Sequence, residues 1–320
     1  MTWLSYTKAL NRALADAMTE DDSVCVLGED VRAGMAGPTL GLHRRFGGER
    51  VLDMPLSEQA FTSFAIGAAL SGMRPVVEFQ IPSLLFLVFE QIVNQAHKFR
   101  LMTGGQASIP VTFLVPGSGS RTGWAGQHSD HPYSLFAHAG VKTAVPATPT
   151  DAYGLLRSAI AEDDPVVLFA PAGAMAARDD VVGTPPPVPL GSGRIHRTGT
   201  DVTVVAVGHL VAHALSVADE LDGELSAEVL DPRTVHPVDW EMLRASLRRT
   251  GRLVVYDDAN RACGFAAEVL AAAGEEAVLL APPRRVTRPD GAVLPFAPEL
   301  DAALQPQPGQ LRDALRAVMR

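Results

Sequence analysis

Cysteine is nearly missing: Cys25 and Cys263 are the only two in 320 residues. Two thiols cannot build a zinc cluster, and they do not suggest the disulfide framework of a small secreted domain. Each lies in an apolar run, which predicts buried free thiols rather than a bridge. Excess positive charge is missing as well. The formal net charge of -9 argues against general nucleic-acid binding and favours solubility, but it says little about small anionic substrates. No stretch approaches the ~20 uninterrupted apolar residues of a membrane span. Met1-Thr2-Trp3-Leu4-Ser5 lacks the basic-then-apolar order of a signal peptide. The expectation is a cytoplasmic protein with no membrane or nucleic-acid partner.

Several catalytic signatures are also absent. No Gly-x-Ser-x-Gly elbow occurs, which removes the usual serine hydrolase. No Gly-x-Gly-x-x-Gly opens a helix, and Gly117-Ser118-Gly119-Ser120 is followed by no Lys-Ser or Lys-Thr, so neither a dinucleotide fold nor a P-loop is supported.

What is present is an ordinary globular composition, 47% hydrophobic and 20% charged, in a chain long enough for two cores. Apolar spacing predicts helices over 5–19, 40–46, 57–72, 83–102 and 148–162, with strands over 23–30, 51–54, 76–79, 109–115, 141–146 and 166–169. Residues 179–192 are rich in Pro and Gly and lack periodicity, as a linker does. Beyond them, strands over 202–207, 227–230, 252–256 and 277–280 alternate with helices over 209–221, 241–248 and 263–273. Residues 282–302 read as loop, and 308–319 as a closing helix. This alternation predicts an α/β fold of two doubly wound domains, 1–180 and 193–320, joined by 181–192.

Two stretches carry chemistry. In the first, a strand ends at Met54-Pro55 and a helix capped by Ser57 opens on Glu58. That places a carboxyl group at the sheet edge where ligands of open parallel sheets bind. Complementing the helix dipole is the plainer use of an acid in a first turn. The second is Gln127-His128-Ser129-Asp130-His131, in a Gly- and Ser-rich loop. On spacing alone it fits a satisfied loop histidine better than a metal site, because no convincing third ligand occurs.

Met54-Pro55-Leu56-Ser57-Glu58-Gln59, with Gly67-Ala68-Ala69 after it, resembles the cofactor-activating segment of thiamine-diphosphate enzymes. The likeness is to the beta subunit of the first component of 2-oxo acid dehydrogenase complexes. It covers essentially the whole chain, continuing through Glu78-Phe79-Gln80, Glu90-Gln91-Ile92-Val93-Asn94, Gln127-His128-Ser129 and Asp231-Pro232-Arg233-Thr234.

The resemblance implies a transketolase-like pyrimidine-binding domain followed by a transketolase C-terminal-like domain. It implies that Glu58 hydrogen-bonds the aminopyrimidine of thiamine diphosphate and favours its imino tautomer. Leu56, through its backbone, Gln80, Leu84 and Glu29 would surround that ring. His128 would face the reacting centre, a post that suits an imidazole with a pKa near about 6.5. Ala159, Ile160, Glu162 and Asp164 correspond to a potassium-binding turn, although a solvated acidic loop fits the same residues equally well.

The Gly-Asp-Gly signature for magnesium and diphosphate is absent here; in this family it belongs to the alpha subunit. The implied protein is therefore half of an alpha2beta2 enzyme that decarboxylates a 2-oxo acid and acylates a lipoyl group on an acyltransferase core. Leu84 departs from the family's usual aromatic residue, and Ala170 from its usual acid. These departures leave open a transketolase-like or acetoin-cleaving reaction. From a different class, the chain could be a structural subunit that retains the pocket as packing.

Overall fold

Parallel strands buried on both faces need uninterrupted apolar sequence. Val24–Gly28 supplies it, Val202–Ala206 is broken only by Thr203, whose hydroxyl is bonded to Ser246 and Thr250, and every residue of both is buried. The computed structural model describes residues 2–181, 183–276 and 278–320. A seven-stranded sheet runs in the order Thr234–His236, Lys142–Ala144, Val166–Pro171, Thr112–Ser118, Arg74–Glu78, Val24–Gly28, Val51–Asp53. All its pairings are parallel except that of the first strand. A five-stranded sheet runs Arg284–Arg288, Leu253–Asn260, Val202–Ala206, Ala227–Asp231, Arg194–Arg197, and only the last strand is antiparallel. Helices flank both sheets. Helix Tyr6–Glu20 packs with helix Pro149–Ala161 through Leu10, Leu14, Tyr153 and Leu156. Fully burying one such aliphatic side chain stabilises by about 1.5–3 kcal/mol.

The alternation is as expected, with local differences that have physical causes. The apolar stretch 83–102 is not one helix. It breaks into a 3₁₀ turn Pro82–Phe86, a π-helix Gln91–His97 and a short α-helix Phe99–Met102. Leu85, Val88 and Ile92 enter the core, while Phe86 and Leu87 are each 51% exposed, so the apolar residues divide between two faces.

Residues 179–181, expected in the linker, belong to strand Arg178–Val181, which pairs antiparallel with an unexpected strand Thr2–Ser5. The expected strand at 277–280 does not form over Val278–Leu280, and Ala277 lies outside the described residues. Its edge place beside Leu253–Asn260 is taken by Arg284–Arg288, within the segment expected to be loop. Helix Pro298–Leu304 also begins in that segment. The third helix beyond the linker starts at Phe265 rather than Cys263, because Cys263 holds a left-handed backbone with φ 54°. Cys263 is consequently exposed, against expectation; Cys25 is buried, and both thiols are free.

Candidate active site

Strand order reverses at Val24–Gly28. The strand that follows it in the chain lies on one side and Arg74–Glu78 on the other. A crevice opens beyond the carboxyl ends at such a switch point. Glu29, Glu58 and Gln80 follow the carboxyl ends of these three neighbouring strands, whose register aligns Gly28 with both Asp53 and Glu78. Glycine is required at position 28, because a Cβ there would lie 2.5 Å from the Glu78 carbonyl oxygen. The Gln80 amide closes the gap by donating to the Glu29 carbonyl oxygen at 2.7 Å.

The crevice carries two adjacent carboxyl groups. Partial burial, and then the Glu58 carboxylate beside it, push the Glu29 carboxyl up to about 7. Oε1 of Glu29 is buried without a hydrogen-bond partner. Glu58 itself is half-buried in the first turn of helix Glu58–Leu70. The Ser57 side chain makes no cap hydrogen bond, contrary to the expected capping role. Leu56 is 83% exposed, and Leu84 is half-buried against the core.

His128 lies elsewhere. It ends the 3₁₀ turn Gly126–His128, stacks edge-on to Trp124 at 5.7 Å and lines a cavity of about 810 Å³ between the two sheets. Ala125 and Cys263, non-glycine residues held at φ 60° and 54°, line the same cavity. Backbone strain of this kind gathers at functional sites.

Two family models match in tandem: the transketolase pyrimidine-binding domain over residues 3–176 and the transketolase C-terminal domain over residues 191–311. The beta subunit of 3-methyl-2-oxobutanoate dehydrogenase from Mycobacterium tuberculosis is 41% identical over 325 residues, covering 99% of this chain and 92% of that one. The chain belongs to the beta-subunit family of the 2-oxo acid dehydrogenases. The beta subunit of acetoin:2,6-dichlorophenolindophenol oxidoreductase from Bacillus subtilis is 38% identical, with 96% of this chain and 95% of the relative covered. A split-gene transketolase described as an inactive beta4 tetramer shares the fold, at a TM-score of 0.83 and 22% identity over 99% of this chain and 98% of that one.

The fold gathers Glu58, Glu29 and Gln80 at one sheet edge, with Leu56 and Leu84 on the segments that follow the strands. The His128 cavity is lined by Ser83 and Phe86, on either side of Leu84, but not by Glu58, Glu29, Gln80 or Leu56. The turn compared with a potassium site is already supplied with cations. Arg74 donates to the carbonyl oxygens of Ile160 and Glu162 at 3.1 and 2.9 Å. Lys142 pairs with the carboxylates of Glu162 and Asp164, and Arg100 with Asp164. The Ala159 carbonyl oxygen accepts the Glu162 amide at 3.3 Å.

Sequence reasoning missed Arg121, whose guanidinium donates to the carbonyl oxygens of Pro116, Gly117 and Gln80 and so ties two strand ends together. It also missed the pair His131 and Asp258, which meet at 2.8 Å although they stand 127 positions apart. No local pattern announces either contact. Among the described residues, Asp151, His196 and Asp231 bring potential metal-ligand atoms within 4.8 Å of one another. Arg233 and Arg194 already supply positive charge to Asp151 there.

Burial also pushes the Glu78 carboxyl, one strand from Glu29, up to about 8. Both folded-state values exceed the ordinary 4.5. The folded chain therefore holds protons that the unfolded chain has released. The two groups contribute stability that is complete below about pH 4.5 and is lost as pH rises through about 7 and 8. The urea midpoint should carry a falling component across this window, and Glu78→Gln should flatten it. An unaltered slope in the variant would remove Glu78 as its source.

Proposed function

We propose that this chain is the beta-type half of a thiamine-diphosphate-dependent 2-oxo acid dehydrogenase, working in an alpha2beta2 assembly and passing the acyl group to a lipoyl acyltransferase core in the cytoplasm. The observation that carries the reading is the Glu29–Glu58 carboxyl pair at the switch-point crevice. The unpartnered Oε1 of Glu29 and the neighbouring Glu58 fit a heterocycle that offers ring-nitrogen and amino groups. Glu58, Glu29, Gln80, Leu84 and the backbone at Leu56 would hold the aminopyrimidine ring of thiamine diphosphate. When bound, the cofactor supplies an electron sink for loss of carbon dioxide from the 2-oxo acid.

This chain's own part is to orient the ring and hold a proton at Glu58. At the His128 imidazole it would position the substrate and attend acyl transfer. Glu58 does not line the His128 cavity, and neighbouring chains would complete the site around both. The diphosphate and magnesium fall to the alpha subunit. Potassium at 159–164 would depend on backbone carbonyls, since both acidic side chains are paired. The working units are 1–180 and 193–320, joined by 181–192.

The test is reconstitution with an alpha-type subunit and a lipoyl domain, assayed for 2-oxo-acid-dependent acylation. His128→Ala should slow single-turnover acylation by about a hundredfold, the lower end for a positioned acid–base group, with little change in cofactor affinity. Equal losses in both readouts would defeat that division of labour. A heteromer that binds no thiamine diphosphate would leave the structural-subunit reading. Acetoin cleavage without 2-oxo acid turnover would favour the acetoin-cleaving reading, which the loss of the aromatic at Leu84 permits.

A further inference from the structure

The His128 cavity has a second feature that the proposed reaction does not use. At the carboxyl ends of strands Leu253–Asn260 and Arg284–Arg288, its lining includes His131 and Arg288. Both are almost wholly buried, with side chains 1% and 5% exposed. His131 Nδ1 lies 2.8 Å from Asp258 Oδ1, while Arg288 Nη2 is 3.7 Å from Asp258 Oδ2, too long for a hydrogen bond. Arg288 Nε donates to Gln305 Oε1 at 3.3 Å and Nη1 to the Ser129 carbonyl oxygen at 3.5 Å. Arg288 Nη2 and His131 Nε2 are left without hydrogen-bond partners.

The three side chains converge over Gly119. A Cβ at this residue, held at φ +88°, would meet Asp258 Oδ2 at 3.2 Å, His131 Nδ1 at 3.5 Å and Arg288 Nη2 at 3.7 Å. Burial alone would raise the Asp258 carboxyl, but His131, and after it His209 and Arg288, hold it well below the ordinary carboxylate range. One carboxylate thus serves three basic groups and bonds closely only to His131. A buried guanidinium with an unmet N–H donor is costly unless an anion completes it.

Phe86, Trp124, Leu135, Val293 and Phe296, all of them exposed, give the cavity a large apolar wall, beside the polar side chains of Ser83, Gln127, His128, Asp130, Ser134 and Asn260; Asp130 is engaged by the Ser83 hydroxyl. A volume of about 810 Å³ lies within the range that holds small ligands, and the carboxyl edge of parallel strands is where such ligands sit.

We propose that this cavity binds a small carboxylate with an apolar body, anchored through its oxygens by Arg288 and His131. The cavity is the one that His128 lines, so the substrate reading of this site rests on the reaction assigned above, while the effector reading does not. The carboxylate belongs either to the reacting acid or to a separate effector. The probe is 4-phenylbutanoate, with 4-phenylbutanamide as its uncharged match, titrated into the full chain by ligand-observed NMR.

The acid should bind at least tenfold more tightly than the amide. Arg288→Met should weaken it roughly ten- to a hundredfold, as loss of one hydrogen bond between charged groups does. Because Arg288→Met bares Asp258 and endangers folding, Phe296→Asp at the exposed rim is the second variant. It should weaken acid binding without touching the buried cluster. Equal binding of acid and amide, no binding of the acid, or undiminished binding in a folded Arg288→Met overturns the proposal. In the reconstituted enzyme, a raised KM for the 2-oxo acid at constant kcat would identify the carboxylate as the substrate's. A changed kcat at constant KM would identify an effector. Failure of reconstitution would leave the binding result on the single chain intact.

Discussion

Glu58→Gln, assembled with an alpha-type partner, is expected to lose turnover by about a hundred- to ten-thousand-fold while remaining folded, the span for removing a positioned acid–base group. The fold should survive because Glu58 contributes little to packing. Helix Glu58–Leu70 is anchored by Phe61, Ala65, Ile66 and Ala69, which face the core away from the crevice. Loss of a first-turn acid costs about 0.3–1 kcal/mol of dipole interaction. Glutamine keeps the size of glutamate and one acceptor oxygen, but it replaces the other oxygen with an NH2 donor and cannot ionise. A loss of turnover therefore reports the carboxylate and not the shape.

A second readout separates a chemical role from a structural one. The Glu58 charge is, after burial, the next cause of the raised Glu29 value. Removing it should move the Glu29 titration, followed by carboxyl-carbon NMR, below about 7. Near-normal turnover with the Glu29 titration shifted would show that the pair exists but that Glu58 is dispensable. Lost turnover without the shift would show that the two carboxyls are not neighbours.

Much of this arrangement is legible in the sequence. The apolar runs that become parallel strands and the acid just after Pro55 follow local rules, and those rules place Glu58 and Glu29 at strand ends. The edge strands are not legible. Arg194–Arg197 and Arg284–Arg288 are rich in arginine and have only one neighbour to pair with, so neither apolar run nor strict alternation marks them. Cys263 misleads for a related reason: an apolar neighbourhood predicts burial, but its left-handed turn carries it out to the cavity rim. The strongest failure is at 83–102, where apolar content indicates one helix but the demands of two faces divide it into three pieces. The His131, Asp258 and Arg288 cluster is invisible for a simpler reason: Asp258 and Arg288 stand on neighbouring strands of the five-stranded sheet, His131 lies in a loop far earlier in the chain, and the three meet only in the folded chain.

Asp151→Ala should destabilise the chain by about 3–5 kcal/mol, the cost of stripping one partner from a buried ion pair. Asp151 is fully buried in the first turn of helix Pro149–Ala161, where its Oδ2 accepts from the Thr148 hydroxyl at 2.8 Å. Its Oδ1 accepts from Arg233 Nη2 at 2.5 Å. Arg233 belongs to the segment that joins the two sheets. The amide of Val145 donates to the Arg233 carbonyl oxygen at 2.9 Å, and strand Thr234–His236 then pairs with Lys142–Ala144.

The variant thus leaves a guanidinium buried at the seam. Asp231 offers partial relief, since burial and then the nearby His196 and Asp151 set its carboxyl, and loss of the Asp151 charge makes its ionisation easier. That compensation pulls the cost toward the lower end of the range. A loss at that lower end corresponds to a fall of about 5 °C in calorimetric Tm. Arg233→Met should cost a similar amount, because it leaves Asp151 as the buried charge without its guanidinium. The double variant should cost less than the sum, since neither charge then remains to be satisfied. Strictly additive losses, or a Tm drop below about 2 °C in either single variant, would mean that the seam is held by the strand pairing and not by this ion pair.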